Sequence, residues 1–185
     1  MNLFGLLAAT ARRYPGRTAV FLGTDAVWTW AELEHNALCV ASYLHRHPLG
    51  SRIAIAAKNC PEYLDIMFGI WAAGHVVVPI NVKLHAKEMQ AILENAGVAE
   101  IFASGQLGDE LLAESADQAP PVFRLDTQDF AMILSAPAAL PVEASMDDLA
   151  WLFFTSGTTG RSKGAMLSHR NLMTKPQFFY DKGSM

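Results

Sequence analysis

Between residues 52 and 103 the chain alternates short strand-like runs with helical patterns, and that alternation leaves few folds open to it. Arg52 to Ala56 is partly β-branched; Pro61 then stands where a helix starts, Tyr63 to Trp71 is apolar nearly all round, and Gly74 ends the segment. Val76-Val77-Val78-Pro79-Ile80 reads as the next strand. Met89, Ile92, Leu93 and Ala96 put one apolar face on a helix ending at Gly97, and Ala99 to Ala103 reads as a further strand. Strands separated by helices of this length imply βαβ crossovers, hence an α/β fold with a mostly parallel sheet and flanking helices. An open sheet of this kind presents ligand loops at the carboxyl ends of its strands.

Upstream, Thr29-Trp30-Ala31-Glu32 forms a capping box, and Leu33, Ala37, Val40, Ala41 and Leu44 recur behind it at helical spacing. The apolar start Leu3 to Ala9 precedes Arg12 and Arg13, an order that suits an amphipathic first helix rather than a secretory signal. No apolar run approaches the ~18 to 20 residues of a membrane span, and the cytoplasm is the expected compartment. With 51% hydrophobic and 17% charged residues, 185 residues suffice for a core. A net charge of -4 argues against nucleic-acid or anionic-membrane partners. Cys39 and Cys60 read as free, buried thiols. His45-Arg46-His47 reads as a solvated helix end and not as a zinc site, because residues two apart do not share a helix face. Residues 104–146, with Gly105, Gly108, Pro120, Pro121, Pro137 and Pro141, read as surface helices and connections.

The apolar run Trp151-Leu152-Phe153-Phe154 leads directly into Thr155-Ser156-Gly157-Thr158-Thr159-Gly160-Arg161-Ser162-Lys163-Gly164. Glycines allow backbone N–H groups to approach an anion, the hydroxyls add donors, and Lys163 adds charge, so the segment reads as a phosphate cradle at the end of a buried strand. Gly157 and Gly160 are separated by two residues and Lys163 is followed by glycine, which excludes a Walker A loop; no Gly-x-Gly-x-x-Gly is present. Composition alone would equally suit a surface turn. Arg161 reads as a solvated loop-tip charge, and Ala165 to Ser168 as a short strand before a helix start. His169, in that start, reads as structural rather than as a general base.

The order Thr-Ser-Gly-Thr-Thr-Gly-x-x-Lys-Gly closely resembles the signature loop of the adenylate-forming, AMP-binding enzymes, which include acyl-CoA synthetases, luciferases and peptide synthetase adenylation domains. Gly50 to Ile55, Lys58 to Tyr63, Ala73 to Asn81, Ala19-Val20 and Trp28 to Leu33 resemble further blocks of that family, in its order. One departure is Ser162, where the family often has proline. The resemblance implies that residues 1–185 are the N-terminal part of an AMP-binding domain ending just after the loop at 155–164. The rest of the large domain and the C-terminal lid would lie elsewhere. It also implies an ATP-dependent acid-thiol ligase that forms an acyl-adenylate and then an acyl-CoA thioester. Thr155, Ser156, Gly157, Thr158, Thr159, Gly160 and Lys163 would contact the β- and γ-phosphates of ATP, with Lys163 catalytic. Coenzyme A would be the co-substrate, and the main protein ligand of Mg2+ would lie outside this chain. The acid is expected to be a fatty or aryl acid, and the 185 residues alone are expected to be inactive. The alternative is a non-catalytic short homologue that binds nucleotide or a partner, or self-associates, through an incomplete sheet.

Overall fold

A computed structural model describes residues 2–113, 120–155 and 163–174. In chain order these form α1 (Leu3–Arg13), β1 (Thr18–Leu22), β2 (Asp25–Thr29), α2 (Trp30–Leu44), β3 (Arg52–Ala56), α3 (Pro61–Ala72) and β4 (Val76–Pro79). There follow α4 (Ala86–Ala96), β5 (Val98–Ala103), α5 (Gly105–Ala113), β6 (Val122–Arg124), α6 (Gln128–Ser135), β7 (Leu149–Thr155) and β8 (Lys163–Ser168). β1 and β2 form a separate antiparallel ribbon; the main sheet has the order β6-β5-β3-β4-β7-β8. Its first five strands run parallel, and β8 returns antiparallel along β7. The fold class expected from the alternation of patterns is therefore the one observed.

Local signals act where the sequence places them. Thr29 Oγ1 accepts from the Glu32 N–H at 3.3 Å while Glu32 Oε2 accepts from the Thr29 N–H at 2.7 Å, closing the capping box that starts α2. Pro61 occupies the first turn of α3, and Gly97, at φ +60°, ends α4 in the left-handed conformation that glycine adopts without strain. β6 lay inside the segment expected to hold only helices and connections; three residues are too few to show a period.

The sheet is covered on both faces. Ile53, Ile55, Val77 and Phe102 pack with α1, α2, α3 and α6, whereas Ala54, Val76, Val78 and Ile101 pack with α4 and α5. The tightest contact lies between α2 and α3, where a Cβ on Gly69 would fall 2.6 Å from Val40 Cβ and 2.9 Å from the Ala37 carbonyl oxygen. One turn away in the same seam lies Asp65, fully buried. Its Oδ1 accepts from Asn36 Nδ2 at 3.3 Å, and its Oδ2 has no partner. Burial raises its pKa to about 7, opposed by the Asn36 hydrogen bond and reinforced by the charge of Glu62.

The amino ends of the strands are pinned by a polar cluster. Glu100, 1% exposed on β5, accepts from the Tyr43 hydroxyl at 2.8 Å, binds the Arg46 guanidinium and meets His47 Nε2 at 2.7 Å. This corrects the expectation of a solvated end for His45-Arg46-His47. His45 and Arg46 are exposed as expected, but the Arg46 guanidinium reaches back to the buried Glu100 carboxylate and His47 is half-buried against it. Cys39 is buried as expected, whereas Cys60 is only half-buried.

Two outcomes are expected. Gly69→Ala should destabilise the fold by about 2 kcal/mol or more, because the added methyl meets backbone as well as side chain; chemical unfolding measures it. Asp65 has a folded pKa above its unfolded value, so the folded state binds the extra proton between about pH 4 and pH 7. Its contribution to stability is therefore fully present at the acid end of that window and is lost as pH rises through it, at a slope of up to about 1.4 kcal/mol per pH unit. Asp65→Asn should flatten that slope in urea melts at pH 4.5 to 7.5.

Candidate functional site

The carboxyl ends of β3, β4, β5 and β7 lie along one edge of the sheet, because these strands run parallel. On that edge the chain leaves β7 at Thr155 and resumes in β8 at Lys163; the two residues stand opposite each other at the end of the β7–β8 ladder, both exposed. Ser156, Gly157, Thr158, Thr159 and Gly160, together with Arg161 and Ser162, lie outside the described residues. Of the seven residues expected to hold phosphate, the structure thus brings together Thr155 and Lys163, at the edge where an open α/β sheet offers its ligand loops.

Lysines follow several strands at that edge, alongside the acids Glu62 and Asp126. Lys58 follows β3, Lys83 follows β4 and Lys163 opens β8, and all three are exposed on a chain whose net charge is -4. Ammonium groups of this kind, with the hydroxyl of Thr155, suit a polyanion. Gly164 has a different use from the close approach to an anion that the sequence suggests. A Cβ there would sit 3.2 Å from Leu152 Cδ1 and 3.3 Å from the Phe154 ring, so the glycine lets an aromatic side chain cover the start of the edge strand.

An apolar cleft of about 260 Å³ opens between β1 and the start of α3, lined by Val20, Phe21, Leu22, Cys60, Tyr63 and Leu64 among others. Burial pushes the Cys60 thiol up to about 11, which keeps it protonated and poorly nucleophilic at neutral pH. Among the described residues no group of three His, Cys, Asp or Glu converges that could hold a metal ion.

His169 lies at the other end of β8, about 20 Å from the Lys163 end at ~3.3 Å per strand residue. It is 2% exposed, and its Nδ1 accepts from the Leu3 N–H at 3.3 Å, so it ties down the first turn of α1. Burial lowers its pKa, against the raising influence of Asp148. The structural reading of His169 fits this position, and a role as base on the phosphate-edge chemistry does not.

The sequence reading missed what holds β7 itself. Leu149 pairs with Ser168 and Trp151 with Leu167, so Ala150 is an extra residue in β7, a β-bulge. The Ala150 carbonyl accepts from Trp71 Nε1 at 2.8 Å. The only signal for this in the sequence is a tryptophan near the end of an apolar helix, which by itself reads as core.

Residues 7–182 match the sequence pattern of the family described as AMP-binding enzyme. The chain is 36% identical over 166 residues to a feruloyl-CoA synthase of an Amycolatopsis species, covering 88% of this chain and 32% of that protein. It is 30% identical over 198 residues to the crotonobetaine/carnitine–CoA ligase of Salmonella paratyphi A, covering 92% of this chain and 37% of the relative. The fold matches the inhibitor-bound N-terminal domain of FACL13 from Mycobacterium tuberculosis with a TM-score of 0.82 and 29% identity, over 91% of this chain and 44% of that structure. The chain thus spans about a third of the length of these two curated relatives. A match over nearly every residue places this chain in the AMP-binding enzyme family.

Proposed function

We propose that this chain is the amino-terminal portion of an ATP-dependent carboxylic acid–CoA ligase and supplies its triphosphate-holding edge. In this reading Thr155, Ser156, Gly157, Thr158, Thr159, Gly160 and Lys163 hold the β- and γ-phosphates. A carboxylate oxygen attacks the α-phosphorus, the bond from that phosphorus to the bridging oxygen of the β-phosphate breaks, and pyrophosphate leaves with the charge. The coenzyme A thiolate then attacks the acyl carbon, forming the thioester and expelling AMP. Lys163 and the hydroxyls stabilise the charge on departing pyrophosphate without forming a covalent bond.

The observation that carries this reading is the pairing of Thr155 with Lys163 at the carboxyl edge, in a chain of this family. The relative named a feruloyl-CoA synthase supports an aryl acid as the acyl substrate; a fatty acid is the other candidate, and the cytoplasm, where ATP and coenzyme A meet, is the compartment this reading implies. Mg2+ travelling with the nucleotide would supply further charge neutralisation, and no described residue is assigned to it.

The full-length protein should exchange pyrophosphate into ATP only when a suitable acid is present. Absence of exchange across a panel of aryl and fatty acids would overturn the ligase reading in favour of a non-catalytic binding module. Lys163→Ala should slow adenylate formation by about ten- to a thousandfold, the span for loss of one electrostatic stabiliser, and an unchanged rate would remove Lys163 from the mechanism.

A further inference from the structure

We propose that Trp71 is a positioning residue for the phosphate edge: by holding the bulged carbonyl of Ala150 it fixes the register in which β7 delivers Thr155 opposite Lys163. This rests on the reading of residues 155–163 as the phosphate site.

Side chains alternate faces along a strand, so one extra residue reverses the face of everything after it. Ala150 and Trp151 both pack on the side of α2 and α3, whereas Leu152 and Phe154 pack on the side of α4. The bulge at Ala150 makes that reversal, and with it sets which face each residue from Leu152 to Thr155 presents. A bulge leaves a backbone group without its ladder partner, and a buried unpaired carbonyl is costly. Here Ala150 is fully buried and its carbonyl is taken by the indole N–H of Trp71, itself 5% exposed.

The indole is itself held in place. Its ring lies 5.4 Å from Phe68, 5.9 Å from Trp151 and 6.3 Å from His169, centroid to centroid. Trp71 stands one residue before the end of α3, and the chain then turns at Gly74, φ +72°, into β4, the parallel partner of β7. The hydrogen bond therefore closes a short circuit from α3 through β4 to β7. A slip of β7 along its axis would have to break it.

Two variants of the full-length protein separate positioning from packing. Trp71→Phe removes the N–H and keeps an aromatic ring; Phe68→Leu loosens the same cluster without touching Ala150. Replacing Trp71 by benzothienylalanine, the same shape with sulfur in place of N–H, covers the case in which Trp71→Phe folds poorly. In pyrophosphate exchange, half-saturating ATP should rise about three- to thirtyfold on loss of the N–H, with half-saturating acid unchanged, while Phe68→Leu stays within twofold of wild type for both. Hydrogen exchange around Thr155 and Lys163 should quicken about tenfold in the Trp71 variants and not in Phe68→Leu. Equal ATP dependence in all proteins, or equal quickening in both kinds of variant, would overturn the proposal. A wild type that uses no ATP, with the β7–β8 ladder still loosened by loss of the N–H, would support the positioning role and overturn the phosphate reading instead.

Discussion

The two central strands must be dry on both faces. From Ile53 to Ala56, and at Val77 and Val78, side-chain exposure is zero. A parallel ladder of this kind satisfies its own backbone groups but offers apolar side chains in both directions, so helices must cover both sides. The crossover from β3 to β4 supplies α3 on one face, and the segment from β4 to β5 supplies α4 on the other. The seam between α2 and α3 closes to the limit set by Gly69 because the first layer has to lie flat on β3.

The two ends of the sheet then divide their duties. At the amino end, the Glu100 cluster spends buried charge on holding α2 to β5, and His169 ties the start of α1 to residues beyond β8. At the carboxyl end the described lysines are exposed and uncommitted to buried partners, which is what a ligand edge requires. Between the two, Trp71 is the contact that ties the helical layer to the strand leading to that edge.

Much of this could be read from residues alone. β3, α3, β4 and β5 are short apolar runs and α4 has one apolar face, all bounded by Pro61, Gly74 and Gly97, and the capping box at Thr29 and Glu32 has a local mechanism, so no tertiary knowledge is needed to place them. The candidate site was read from glycine, hydroxyl and lysine in a family's order, and of its seven residues Thr155 and Lys163 fall among the described ones. Contacts between residues far apart in the chain left no local trace: Arg46 and His47 reaching Glu100, His169 reaching Leu3, and Trp71 reaching Ala150. Residues with polar tips, such as histidine and arginine, look solvated in sequence until a distant carboxylate is brought beside them.

The antiparallel return of β8 decides which charges an anion at this edge would meet. In the common nucleotide folds a glycine-rich loop opens into a helix, whose aligned peptide dipoles supply about half a positive charge at its start. Here the residue after the loop begins a strand, and strand dipoles largely cancel. An anion at this edge would then meet no helix dipole from β8, and the exposed ammonium of Lys163 acts through solvent, where dissolved ions screen it.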